Sequence, residues 1–196
     1  MNDPHLDLTL MRLAILEGES ARGGTGDNPW VGCVITSREG KILGRGHTQG
    51  PGEHHAEIAA AHDAASRGHD IRGATLYSTL EPCAFHGRTP SCARSIAARG
   101  IGRVVIGMRD PHPRVDGAGI HILQEAGIKV NEGVCEEEVR RQLGPWVIQF
   151  HPHDVLTRTR QLATTHNQAS VITLLAHIYG VSEARVREVV EKMRQG

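Results

Sequence analysis

The chain is short of aromatic side chains, of charge of one sign and of long apolar runs, and each shortage removes a class of function. Phe, Trp and Tyr together make up 3% of its 196 residues, too few for the stacking platform on which proteins hold single-stranded nucleic acid. Lys and Arg number 22 and Asp and Glu number 22, so the basic excess of a protein built to grip a phosphate backbone is missing. No apolar run approaches the roughly 20 residues of a membrane span. The start, MNDPHLDL, has neither the basic cluster nor the apolar stretch of a signal peptide. A cytoplasmic protein without a membrane partner is therefore expected. Four cysteines are too few for a disulfide framework at this length and read as thiols or metal ligands.

What is present is enough for one full domain and a small appendage, with 39% hydrophobic and 22% charged residues. Helical periodicity runs over residues 8–22 and stops in the turn-rich stretch Gly23 to Pro29. Segments 31–36 and 41–48 read as a hairpin, and His54 to Arg67 as an alanine-rich helix closed by Gly68. Strands over 74–79, 103–108 and 128–131 then alternate with helices over 91–99, 120–126 and from Glu136. This alternation predicts a three-layer α/β/α sandwich over residues 1–150, with a mixed, mostly parallel sheet. Residues 151–196 are expected to be a linker, HPHD, followed by a small helical tail.

Two short pieces carry chemistry. One is His55-Ala56-Glu57 at a helix start; the other is Pro82-Cys83, with Cys92 nine positions beyond Cys83 at the next helix start. One imidazole and two thiolates are three protein ligands, which leaves a tetrahedral zinc ion one position for water. Glu57, two residues from His55, is placed to carry protons rather than to ligate. Cys33, inside an apolar strand, and Cys135, at a helix start, have no partner spacing and read as packing residues. The intact order of types matches the pattern named for zinc deaminases, except that eight residues rather than two separate the cysteines.

The run Asn28-Pro29-x-Val31-Gly32-Cys33-Val34-Ile35, then His55-Ala56-Glu57, then Thr79-Leu80-Glu81-Pro82-Cys83, resembles the cytidine-deaminase superfamily. The insert Gly87-Arg88-Thr89-Pro90-Ser91-Cys92 and the later Asp110-Pro111-x-Pro113 narrow the resemblance to the deaminase domain of the bacterial riboflavin-pathway deaminase/reductase. The resemblance implies hydrolytic loss of an amino group from a pyrimidine carrying ribose 5-phosphate, with diaminohydroxyphosphoribosylaminopyrimidine as the expected substrate. It also implies that Asn28 and His47 line the nucleotide pocket and that Arg88 and Thr89 approach the phosphate. Four positions depart from the family. Ala84-Phe85 stands where Ser-His is usual, Ser91 where a proline is usual, and His112 where an asparagine is usual. These changes leave deamination intact but keep open a related deaminase of another free base, nucleoside or nucleotide. Only 46 residues follow Phe150, with no glycine-rich nucleotide-binding turn, so no reductase activity is expected.

In the tail, Ala176, Gly180 and Val186 fall at helix-turn-helix intervals, which resembles that DNA-binding motif and allows a third reading, a DNA-binding regulator. With two helices evident and a neutral chain, packing on the domain or on a second copy is preferred, and a homodimer is the expected assembly.

Overall fold

The computed structural model describes residues 3–85, 90–113 and 115–195. The chain divides into two compact units, Met1–Val139 and Arg140–Gly196. In the first, α1 (Pro4–Glu19) opens with Asp3 as its cap, the carboxylate accepting from the His5 amide, and with Pro4 in the first turn, where no N–H is needed. After it come β1 (Gly32–Thr36), β2 (Ile42–His47), α2 (Ala56–Ser66) and β3 (Thr75–Leu80). They are followed by α3 (Cys92–Ala98), β4 (Arg103–Met108), α4 (Ala118–Glu125), β5 (Lys129–Asn131) and α5 (Glu136–Phe150).

The five strands lie in the order β2-β1-β3-β4-β5. β1 pairs antiparallel with β2 on one side and β3 on the other, whereas β3–β4 and β4–β5 are parallel. Four strands therefore run one way and β1 alone opposes them, so the sheet is mixed, as expected. Central β1 and β3 are buried along their whole length, including the hydroxyl side chains of Ser78 and Thr79 in β3.

Two helices close on opposite faces through glycines. At Gly32 of β1 a Cβ would lie 1.9 Å from the Ala14 carbonyl oxygen of α1. At Gly44 and Gly46 of β2 it would lie 2.3 Å from the carbonyl oxygen and the amide nitrogen of Ala60 in α2. Gly46 pairs with Cys33, the neighbour of Gly32, and successive strand residues point to opposite faces. That places α1 and α2 on opposite sides of the sheet. Under α1, Asp7 accepts from the Tyr77 hydroxyl at 2.8 Å and from Arg103 at 2.8 Å, joining α1, β3 and β4. Burial pushes the Asp7 carboxyl up, but the bonds from Arg103 and Tyr77 outweigh it and hold the group below its ordinary range.

In the second unit, α5 continues through Pro145 to Phe150 and is followed by α6 (Pro152–Leu162), α7 (Gln168–Tyr179) and α8 (Glu183–Gln195). The segment 151–154, expected as linker, instead opens α6: His151 is its cap and Pro152 occupies its first turn. No helix among the described residues is long and apolar enough to cross a membrane.

The glycine contacts are testable. Gly46→Ala should lower stability by about 2–3 kcal/mol, because backbone and not a movable side chain occupies the space. Urea unfolding followed by circular dichroism measures this. A loss below about 0.5 kcal/mol would mean that α2 does not sit on β2 this closely.

Candidate functional site

β2 and β3 run in the same direction, and each delivers its chain to a helix start beyond its C-terminal end, where ligands bind in open α/β sheets. His55 is the N-cap of α2, in extended conformation, and its side chain does not cap the helix. Cys83 follows β3 by three residues, and Cys92 is the first residue of α3.

The two sulfurs are held together by the chain between them. The Ser91 hydroxyl donates to the Cys83 carbonyl at 2.9 Å and accepts from the Arg94 amide, while the Ala93 amide also reaches the Cys83 carbonyl at 3.2 Å. The Cys92 amide donates to the Cys83 sulfur at 3.3 Å. His55 Nδ1 lies 3.7 Å from Cys83 Sγ and 3.3 Å from Cys92 Sγ. The donor atoms of His55, Cys83 and Cys92 all fall within 4.8 Å of one another. This is a donor set of the types and number that suit zinc with one position open.

Electrostatics agree with the geometry. The Cys83 thiol is pushed well down, foremost by its hydrogen bond with Cys92, then by His55 and the Cys92 amide, while the same bond and then burial push the Cys92 thiol up. A depressed thiol is one that yields its proton to a metal readily. Glu57, in the first turn of α2, is 4% exposed, and burial pushes its carboxyl up. A buried carboxyl pushed up in this way is a stronger base once ionised, and it stands beside the donor trio, where it can take a proton and return it.

Glu81, two residues before Cys83, has a role that its sequence position does not announce. Its carboxylate accepts from the amides of Gly117 (2.9 Å), Gly119 (2.9 Å), Ile120 (3.3 Å) and Asp110 (3.4 Å), fixing the start of α4 against the Cys83 loop. The approach is close enough that a Cβ on Gly119 would lie 1.9 Å from the Pro82 carbonyl oxygen. Asp110 is also drawn in; burial, and then the negative charge of Glu81 and Cys83, push it up to about 7.

His47 ends β2, opposite Gly32, and its Nδ1 is 3.0 Å from Glu17 of α1. The Gly32 amide donates to Thr79, so His47 stands at the end of the sheet from which β3 leaves for Cys83. Asn28 lies four residues before Gly32 in a loop closed by the Thr25 hydroxyl on the Asn28 carbonyl. Arg88 and Thr89 lie outside the described residues. The departures Phe85 and His112 are neighbours, their rings 6.1 Å apart, with Phe85 48% exposed. Cys33 is fully buried, as expected of a packing residue, whereas Cys135 is only half-buried and has a positive φ of 59°.

Residues 4–108 match the model of the cytidine and deoxycytidylate deaminase zinc-binding region. The riboflavin biosynthesis protein RibD of Aquifex aeolicus is 41% identical over 175 residues, covering 86% of this chain and 48% of that protein. The Escherichia coli protein of the same name is 45% identical over 131 residues, 67% of this chain and 35% of its own length. A diaminohydroxyphosphoribosylaminopyrimidine deaminase/5-amino-6-(5-phosphoribosylamino)uracil reductase from Thermotoga maritima superposes with a TM-score of 0.69 at 42% identity. That match covers 74% of this chain and 41% of the Thermotoga chain. The chain thus spans less than half the length of these relatives.

Metal analysis of the purified protein should return one zinc per chain, and Cys83→Ser and Cys92→Ser should each lose it. Full occupancy in both variants would remove these two residues from the ligand set.

Proposed function

The chain belongs to the cytidine and deoxycytidylate deaminase family, and from that premise we propose that it removes an amino group by hydrolysis from a pyrimidine carrying ribose 5-phosphate. The substrate we assign is diaminohydroxyphosphoribosylaminopyrimidine, the pyrimidine for which the Thermotoga deaminase is named. The observation that carries the reading is the convergence of His55, Cys83 and Cys92 with buried Glu57 beside them.

In this reading His55, Cys83 and Cys92 hold zinc. The ion supplies a Lewis acid that makes hydroxide available near neutral pH. Glu57 takes the proton that water gives up as its oxygen bonds to the ring carbon. It passes that proton to the ring nitrogen, then takes the proton of the newly formed hydroxyl and gives it to the amine, so that the carbonyl forms, the C–N bond breaks and ammonia leaves. Glu81 positions the loop that carries Cys83. Asn28 and His47 line the nucleotide pocket, and Arg88 and Thr89 meet the 5′-phosphate, for which a guanidinium is a charge-assisted donor. The protein acts in the cytoplasm as a homodimer.

A second reading rests on the paired departures. Phe85, beside His112, puts an apolar ring where the family has a histidine, and an apolar ring cannot hydrogen-bond a substrate substituent. This favours a related deaminase of another base, nucleoside or nucleotide.

Ammonia release across a panel of aminopyrimidine nucleotides, nucleosides and free bases separates the two. The phosphoribosyl aminopyrimidine should be the best substrate, and its dephosphorylated form should have a kcat/KM lower by about tenfold or more, the loss of one charge-assisted contact. Equal values would favour the second reading. Glu57→Gln should keep its zinc and its fold while kcat drops by about 10²-fold or more. Turnover at the parent rate would assign the proton transfers to another group.

A further inference from the structure

The formal neutrality of the chain conceals a partition. Met1–Val139 carries 18 acidic and 14 basic side chains, whereas Arg140–Gly196 carries 4 acidic and 8 basic ones. Neutrality therefore speaks against a polyanionic partner for the first unit only, and a basic appendage on an acidic domain points the other way. We propose that Arg140–Gly196 is a helix-turn-helix unit that docks on duplex DNA, with α8 in the major groove and the N-terminus of α7 on the backbone.

The architecture supports this beyond the sequence interval. A helix not evident in the sequence, α6, packs on both α7 and α8. The three enclose a core of their own, with Val155, Val171, Leu175, Tyr179, Val186 and Val189 buried. α7 and α8 are joined by three residues, the short glycine-containing connection of the motif. Gly180 makes the turn in the left-handed region (φ 58°), with the Val181 amide donating back to Ala176 at 3.1 Å. Ser182 then caps α8, accepting from the Arg185 amide, and Thr173 of α7 donates to Glu183 of α8 at 2.7 Å. A Cβ at Gly180 would meet the Arg141 carbonyl oxygen at 2.8 Å, so the turn is set by packing as well as by φ.

The outward surfaces have the chemistry that a duplex requires. Residues 163–169, ATTHNQA, are all exposed and offer hydroxyls, amides and an imidazole without a carboxylate. They surround the start of α7, where Asn167 is the cap and accepts from the Ser170 amide; a helix start of this kind suits a phosphate. On α8, Arg187 and Lys192 lie on the exposed face opposite buried Val186, Val189 and Val190, with Arg185 partly exposed. Each is held in a surface pair: Arg185 with Glu188, Arg187 with Glu183 and Lys192 with Glu188. Exposed pairs of this kind contribute little, so a phosphate or a base edge competes with the carboxylate. Glu188 and Glu191 share the face; a carboxylate in the major groove accepts from a cytosine amino group, which assigns α8 to bases and the α7 start to phosphates.

The test is fluorescence anisotropy of the full-length chain with a random-sequence DNA duplex pool of roughly three helical turns. Binding is expected whose logarithm falls against the logarithm of salt with a slope of about −2 or steeper. The double variant Arg187→Ala, Lys192→Ala should weaken it by about tenfold or more at low salt. Arg187→Lys should retain most of the binding, and circular dichroism and zinc content should be unchanged in all. No binding at about 50 mM salt would overturn the proposal, as would unchanged binding by the double variant. Equally strong binding to single-stranded RNA or to anionic vesicles would also overturn it, since neither has a major groove open to α8.

Discussion

Everything in the first unit depends on holding two thiols and an imidazole within 4.8 Å of one another. Unrelieved, such a cluster is unfavourable, because two sulfurs and a neighbouring carboxyl cannot all carry charge in a buried space. The protein relieves it with backbone. Cys92 gives its amide to the Cys83 sulfur, and Ser91 and Ala93 bind the Cys83 carbonyl. Behind them Glu81 gathers four amides from the start of α4 and the loop ahead of it. The cluster is thus placed by hydrogen bonds within the chain itself, which is how a site can be preorganised for a reaction in which charge develops.

The sheet supplies the second constraint. Because only β1 opposes the other strands, the C-terminal ends of β2 and β3 lie on the same side, and the helix starts that follow them meet there. Glycines at 32, 44 and 46 let α1 and α2 approach the sheet within backbone contact. His55 and Glu57 owe their position to that approach, since α2 carries both. Stability and site geometry are consequently two readings of the same packing.

The donor residues were legible in the sequence because their spacing is local and their types are chemically restrictive. His55 and Glu57 share one helix start, and Cys83 and Cys92 flank a single loop. Glu81 was not legible, although it stands inside the same motif: its partners lie 29 to 39 residues further on, and no local pattern marks a carboxylate that caps a remote segment. The same holds for Asp7, which meets Arg103 across 96 residues. The helix α6 was hidden for a different reason. Its start lies in HPHD, which reads as a linker until Pro152 is placed in the first turn, where proline suits a helix, and the VLTRTRQL that follows is mostly polar. The charge partition was visible throughout, but it acquires meaning only with the unit boundary that the fold supplies.

The proposed function turns on His55, Cys83 and Cys92 offering zinc one nitrogen and two sulfurs, with the fourth position left to solvent or substrate. X-ray absorption at the zinc edge of the purified protein measures this directly. The expected result is two sulfur scatterers at about 2.3 Å and two lighter ones at about 2.0–2.1 Å, one of them histidine, with the second exchanging for an added ligand. A first shell of four protein donors would contradict this coordination, as would a shell without sulfur, because either would describe a metal that cannot take part in the hydrolysis proposed here.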